Sequence, residues 1–225
     1  MNRSQQNPAS AVGIFGGTFD PVHFGHLRAA VETRDMLKLE DFRLLPAGTP
    51  PHRSNTVASA AHRLAMLRLA VSEQSGFTVD DREVRRGGNS YMVDTLREIR
   101  NETGDSPLIL MIGQDASNVL DSWHQWRSIF SLAHVVIMRR PESRLCWSGE
   151  LQNQLQHRLV HDPGRLSVQA AGLVLGLEVT QLAISSTDIR NQLLAGRSPR
   201  FLLPDKVIDY IEQNELYFAG PARKG

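Results

Sequence analysis

Cysteine is almost absent from this chain: Cys146 is the only one in 225 residues. No intrachain disulfide can form, which suits a reducing cytoplasm. Charge of one sign is missing too. Lys and Arg number 25 against 24 Asp and Glu, a formal net charge of +1. A general nucleic-acid binder carries a marked basic excess, so nucleic acid is not an expected partner. Any anion must instead be held locally, by placed Arg, His and backbone N–H groups. No apolar run approaches the ~20 residues that a membrane-spanning helix needs, so no membrane role is expected. Residues 1–10 are polar, lack the apolar region of a signal peptide, and read as a disordered leader. Internal repeats and low-complexity tracts are missing. So are the lysine and spacing of a Walker A loop and the spacing of G-x-G-x-x-G.

The composition that remains is that of a globular protein, with 41% hydrophobic and 22% charged residues. Short apolar runs at 11–15, 42–45, 77–80, 108–112, 134–138 and 173–179 read as strands. Helical spacing recurs at 25–39, 58–73, 90–101, 186–194 and 204–214. Continuous apolar strands alternating with helices predict an α/β fold, a Rossmann-like doubly wound parallel sheet with helices on both faces. Residues 11–218 read as a single domain with a C-terminal helical part at about 185–215, followed by a tail at 219–225. The segment 142–172 is polar and mixed, and reads as a helix with flanking loops. Ligands of such sheets sit at the carboxyl ends of the strands. That rule gathers four segments at one mouth: the loop after Phe15, residues 46–55, residues 113–126, and Arg139-Arg140.

The first of these loops opens on Gly16-Gly17 and leads to a helix near Gly25. Glycines let backbone N–H groups approach a phosphate, and a helix N-terminus adds partial positive charge. His23 and His26 lie three residues apart, so on a first helical turn they face the same way. Two imidazoles there can donate hydrogen bonds to phosphate oxygens, bonds that strengthen as charge builds in phosphoryl transfer. Other readings of the same residues stand beside this one. Gly-Gly is also an ordinary turn, and His-x-x-His also packs, caps or, given further ligands, binds zinc.

Near the other end, Ser185, Ser186 and Thr187 are good N-cap residues for a helix carrying Arg190, whose planar fork suits phosphate oxygens. Taken alone, that pattern is also an ordinary capped helix with a solvated Arg. Asp115 follows the strongest strand through Gly113, where an acidic residue commonly holds a ribose hydroxyl.

Gly16-Gly-Thr-Phe-Asp-Pro-Val-His-Phe-Gly-His26 resembles the first signature of the nucleotidyltransferases with an H-x-G-H motif, and Ile184-Ser-Ser-Thr-Asp-Ile-Arg190 resembles the second. Within that superfamily the chain resembles the bacterial nicotinate-nucleotide adenylyltransferases, from about Val12 to Tyr217. The resemblance implies transfer of AMP from ATP to nicotinate mononucleotide, giving the dinucleotide and pyrophosphate without a covalent enzyme intermediate. It implies catalytic roles for His23, His26 and Arg190. ATP would also meet Gly16, Gly17, Thr18, Phe19, Gly113, Asp115, Arg139, Ser185, Ser186 and Thr187. The mononucleotide would meet Phe19, Asp20, Arg53, Tyr91, Met92 and Trp123. Mg²⁺ would arrive on the triphosphate rather than on protein ligands.

Two departures from the family pattern stand out. Met92 sits where Ser-Tyr-Thr-x-Asp-Thr-Leu has its Thr, so a backbone contact survives there and a hydroxyl contact does not. Pro51-His52-Arg53 replaces the usual His-Lys, which keeps the cation and changes its geometry. Trp123 is expected to stack on the pyridine ring and Trp126 to pack in the core. The same chemistry on nicotinamide mononucleotide or phosphopantetheine remains an alternative, as does a nucleotide-sensing module without turnover. The sequence leaves homo-oligomerisation open.

Overall fold

Alternation along the strands decides how the layers assemble. In a computed structural model that describes residues 10–50, 56–139, 147 and 149–218, strand β1 (Val12–Gly17) leads into helix α1 (Phe24–Leu37), then β2 (Asp41–Pro46), α2 (Ala60–Val71), β3 (Thr78–Val79), α3 (Arg82–Arg86) and α4 (Met92–Thr103). The second half runs β4 (Leu108–Gly113), α5 (Gln114–Ser117), α6 (Trp126–Leu132), β5 (His134–Arg139), α7 (Gly149–Gln156), β6 (Leu159–Val160), β7 (Val174–Glu178), α8 (Ser186–Leu194) and α9 (Asp205–Gln213). His52, Arg53, Arg140, Cys146, residues 1–9 and the tail at 219–225 lie outside the described residues.

The seven strands form one parallel sheet in the order β3-β2-β1-β4-β5-β7-β6. Side chains of a strand point alternately to opposite faces. Leu108, Leu110 and Ile112 of β4 therefore meet Leu96 and Ile99 of α4 and Ile129 of α6. Ile109 and Met111 turn the other way, into the layer of Ala30, Met66, Ile189 and Ile208 from α1, α2, α8 and α9. Covering both faces in this way removes water from every central strand, worth ~1.5–3 kcal/mol per large apolar side chain.

The strand order reverses between β1, whose next strand lies to one side, and β4, which lies to the other. A crevice opens at the carboxyl ends of strands at such a point. The amino ends are closed by a different device. Arg100 of α4 donates to the carbonyls of Gly104 and Ser106 at 2.6 Å each, Leu132 at 2.6 Å and Ala170 at 2.9 Å. Those carbonyls precede β4, β5 and β7, so one guanidinium ties three strand starts together.

The predicted strands and helices all recur, with ends moved by a residue or two. Three short helices and one strand are additions. β6 lies inside the polar 142–172 segment and is only two residues long. There α7 buries Leu151 and Leu155, supplying the helix expected in that region.

Candidate active site

The two signature motifs meet at the mouth of the crevice. His23 is the N-cap of α1, with extended backbone, and is not yet on the helix. Its ring nevertheless stacks on that of His26, with centroids 3.7 Å apart and planes 29° from parallel. His26 in turn stands edge-on to Phe19, at 5.1 Å. A side chain at Gly25 would press on this pair. A Cβ there would lie 3.0 Å from two atoms of the His23 ring and 3.5 Å from the carbonyl oxygen of Ile184. Any side chain there would need the His23 ring to yield by a few tenths of an ångström.

The second motif is bolted to the first. The Ser186 hydroxyl donates to the Pro21 carbonyl at 2.9 Å, and Arg190 Nη1 donates to the Asp20 carbonyl at 2.6 Å. Ser185 caps α8 by accepting from the Asp188 N–H at 3.0 Å. The N-termini of α1 and α8 therefore come together, and the partial positive charge of two helix starts favours an anion there. Thr187 is exposed and accepts from Arg190 Nη2 at 3.3 Å.

His23 is only 5% exposed, and its Nδ1 is buried with no hydrogen-bond partner among the described residues. Burial drives its pKa down to about 4, so the ring is neutral near pH 7 and offers an N–H rather than a charge. His134 is a second buried imidazole, at the start of β5. It donates from Nε2 to the Gln169 carbonyl and accepts the Leu173 N–H on Nδ1, and burial lowers its pKa. Both groups bind protons more weakly folded than unfolded. Their stabilising contribution is complete above about pH 6.5 and falls in acid, that of His23 being lost as pH drops towards 4. By pH 5, His23 alone should account for about 2 kcal/mol of lost stability. Urea midpoints at pH 7.5 and 5.0 will check this, and His23→Ala should show a smaller drop than the parent.

Beside the histidines lies a cleft of about 530 Å3, within the range of small-molecule sites. Gly16, Gly17 and Thr18 form one wall, and Met92, Asp115, Trp123 and His124 lie around them. Met92 packs over Gly16, where a Cβ would come within 2.7 Å of its methyl carbon. The Tyr91 ring lies against His124, centroids 4.3 Å apart. Trp123 is half-buried on the cleft, whereas Trp126 is buried against Phe130, as expected of a core residue. Asp115 is exposed on the cleft, and Gly113 leaves open space where a side chain would stand.

Three of the expected contact residues are also engaged within the protein itself. Phe19 is 1% exposed and sits in the core under His26, so only its backbone is left to meet a ligand. Asp20 is also buried, and its carboxylate accepts from the Val57 N–H at 2.8 Å, the Ala58 N–H at 3.2 Å and the Tyr217 hydroxyl at 2.6 Å. Neither side chain lines the cleft, because both are consumed in holding the loop. Arg139 pairs with Glu178 at 2.6 Å, across the ends of β5 and β7.

Sequence reasoning missed three site residues. Tyr217 holds Asp20. Glu83 lies 2% exposed at the base of the cleft, its pKa raised by burial. Arg63 is fully buried beneath it. A signal for Arg63 exists: it shares a helical stripe with Met66 and Leu67, so a charge falls on the buried face of α2.

Comparison with known proteins agrees with this geometry. A family profile for cytidylyltransferase-like proteins matches residues 14–192, spanning both motifs. A protein of Methylococcus capsulatus is 51% identical over 207 residues, covering 92% of this chain and 99% of its own length. One of Marinobacter nauticus is 46% identical over 209 residues, covering 92% and 97%. Both are described as a probable nicotinate-nucleotide adenylyltransferase. Among solved structures, Plasmodium falciparum nicotinic acid mononucleotide adenylyltransferase complexed with NaAD superposes with a TM-score of 0.70. It covers 92% of this chain and 97% of its own, at 15% identity, a likeness of fold. With both motifs on adjoining helix ends, a cleft beside them and relatives matched over nearly their whole length, the chain belongs to the nicotinate-nucleotide adenylyltransferases of the cytidylyltransferase-like family.

Proposed function

We propose that the chain joins ATP to nicotinate mononucleotide, giving nicotinate adenine dinucleotide and pyrophosphate, a step of NAD biosynthesis. The observation that carries this reading is the joining of two helix N-termini through Ser186–Pro21 and Arg190–Asp20, beside the stacked His23–His26 pair. A phosphate oxygen of the mononucleotide attacks the α-phosphorus of ATP. That P–O bond forms as the bond to the β-phosphate bridge breaks, and pyrophosphate leaves. No group on the enzyme is adenylylated. Catalysis then rests on positioning and on fixed dipoles facing the developing charge.

Within that reading, neutral His23 donates to phosphate oxygens, His26 flanks it, and Arg190 supplies the positive charge. The backbone of Gly16, Gly17 and Thr18, with the capped start of α8 at Ser185–Thr187, completes the phosphate site. Gly113 and Asp115 serve the adenosine, Asp115 through ribose hydroxyls. Trp123 stacks on the pyridine, and the backbone at Tyr91 and Met92 meets the nicotinate carboxylate. Phe19 and Asp20 act by bracing the loop, and Arg139 by tying β5 to β7. Among the described residues no three His, Cys, Asp or Glu side chains come together as a metal site. Mg²⁺ would be held by the triphosphate oxygens, the kind of ligand that ion prefers, where it would neutralise charge.

No helix of the described residues is long and apolar enough to cross a membrane, and the single cysteine suits the cytoplasm, where we place the enzyme. We read residues 11–218 as one catalytic domain whose partners are the two nucleotides.

Pyrophosphate release from ATP and Mg²⁺ with a panel of acceptors tests the reading. Nicotinate mononucleotide should give the highest kcat/KM, above nicotinamide mononucleotide and phosphopantetheine. Silence with all three would sink the proposal, and preference for the amide would move the acceptor assignment at Met92.

A further inference from the structure

Arg63 belongs to neither motif, yet its side chain joins the first of them, at Thr18, to the 47–48 segment beside the cleft. Its guanidinium donates from Nη1 to the carbonyls of Thr18 at 2.8 Å and Ala47 at 2.6 Å, from Nη2 to Gly48 at 2.6 Å, and from Nε to Ala58 at 3.3 Å. A flat fork of five N–H donors can serve carbonyls from separate segments, which a lysine ammonium cannot reproduce.

The 47–49 loop is held from its other side as well. Ser90 Oγ accepts from the Gly48 N–H at 2.8 Å and the Thr49 N–H at 3.2 Å. The Ser90 hydroxyl in turn bonds to Glu83, whose carboxylate accepts from Thr95 Oγ1 at 2.7 Å. Gly48 presses on that same helix, since a Cβ would lie 2.5 Å from the Glu83 carbonyl oxygen. A continuous polar chain therefore runs from Thr95 through Glu83 and Ser90 to the loop, and through Arg63 to Thr18. Four of its members, Thr18, Ala47, Glu83 and Ser90, line the cleft.

We propose that Arg63 and Ser90 are positioning residues: together they fix the 47–49 loop, and with it the seat of the acceptor mononucleotide relative to the phosphate loop at Thr18. This rests on reading the cleft as the acceptor site. A displacement of about 1 Å between reacting groups can cost about 10²-fold in rate, so a small slack in this loop is kinetically visible. ATP, bound on the helix N-termini beyond Thr18, feels it less.

Arg100 provides the control. It too clamps four carbonyls, but at the amino ends of the strands, away from the cleft. Steady-state constants of Arg63→Lys, Ser90→Ala and Arg100→Lys should be compared with the parent well below their melting temperatures. Ser90→Ala, whose lost bonds to Gly48 and Thr49 lie in the 47–49 loop, should raise the acceptor KM about three- to tenfold with the ATP KM within about twofold; Arg63→Lys should raise the acceptor KM about tenfold or more and, through Thr18, the ATP KM by less. Arg100→Lys should lose melting temperature and keep both KM values. Ser90→Ala decides the matter should Arg63→Lys not fold: an unchanged acceptor KM in it overturns the proposal. Equal kinetic losses in Arg63→Lys and Arg100→Lys overturn it too. If the parent itself releases no pyrophosphate, the activity reading fails separately. Calorimetric binding of nicotinate mononucleotide to the same variants then reads the clamp, with the same order of affinity losses expected and uniform affinities overturning it.

Discussion

His23→Ala should lower kcat by about 10²–10³-fold while the protein stays folded. The loss is expected to be large because the imidazole is fixed for use before substrate arrives. Gly25 leaves it room, His26 supports its face, and burial has stripped its water. A donor that needs no reorganisation is worth most when charge develops beside it. Folding should survive because Nδ1 bonds to no described residue, so its removal strands no protein donor or acceptor. The burial that pushes its pKa to about 4 opposes protonation, which makes the ring a cost to folding in acid. The same variant should therefore lose turnover at pH 7.5 and tolerate pH 5 better than the parent. Turnover within about tenfold of the parent would remove His23 from the chemistry.

Asp20→Ala should cost about 3–5 kcal/mol of stability. The substitution leaves the Tyr217 hydroxyl and the Ala58 N–H buried without an acceptor, and deprives the Val57 N–H of a 2.8 Å bond. It also removes the carboxylate whose charge most favours the buried Arg63 guanidinium, leaving that cation less compensated. Tyr217→Phe, which deletes one partner only, should cost about 1–2 kcal/mol. Chemical denaturation of both single variants and the double variant will show coupling of at least ~0.5 kcal/mol if the bond exists in solution. Additive losses would mean that Asp20 works elsewhere, including on substrate.

That last contrast marks where sequence reading reaches and where it stops. Strands such as 108–112 announce themselves because a central strand buried on both faces is apolar at every position. The two helices of the phosphate site were legible because capping serines, glycines and histidines are chosen by local backbone geometry. The bracing bonds of Asp20 were hidden for the opposite reason. Its partners, Val57, Ala58 and Tyr217, are 37 or more residues away, and no local pattern tells a bracing carboxylate from one that binds substrate. Arg63 leaves a trace in the periodicity of α2, but the four carbonyls it serves exist only once three loops have met. Helix α6 hid because it follows Gln125, a left-handed residue that no Gly or Asn signalled.

The bonds from Ser186, Arg190 and Tyr217 to the Asp20–Pro21 segment bridge 165, 170 and 197 residues. They also impose an order on the life of the molecule. During synthesis the catalytic loop leaves the ribosome early, whereas its last brace follows about 10–40 s later at ordinary elongation rates. Until then the nascent chain has His23 and His26 but no partner helix to aim them. Aiming of the two imidazoles at ATP should therefore wait on chain made well over a hundred residues after them.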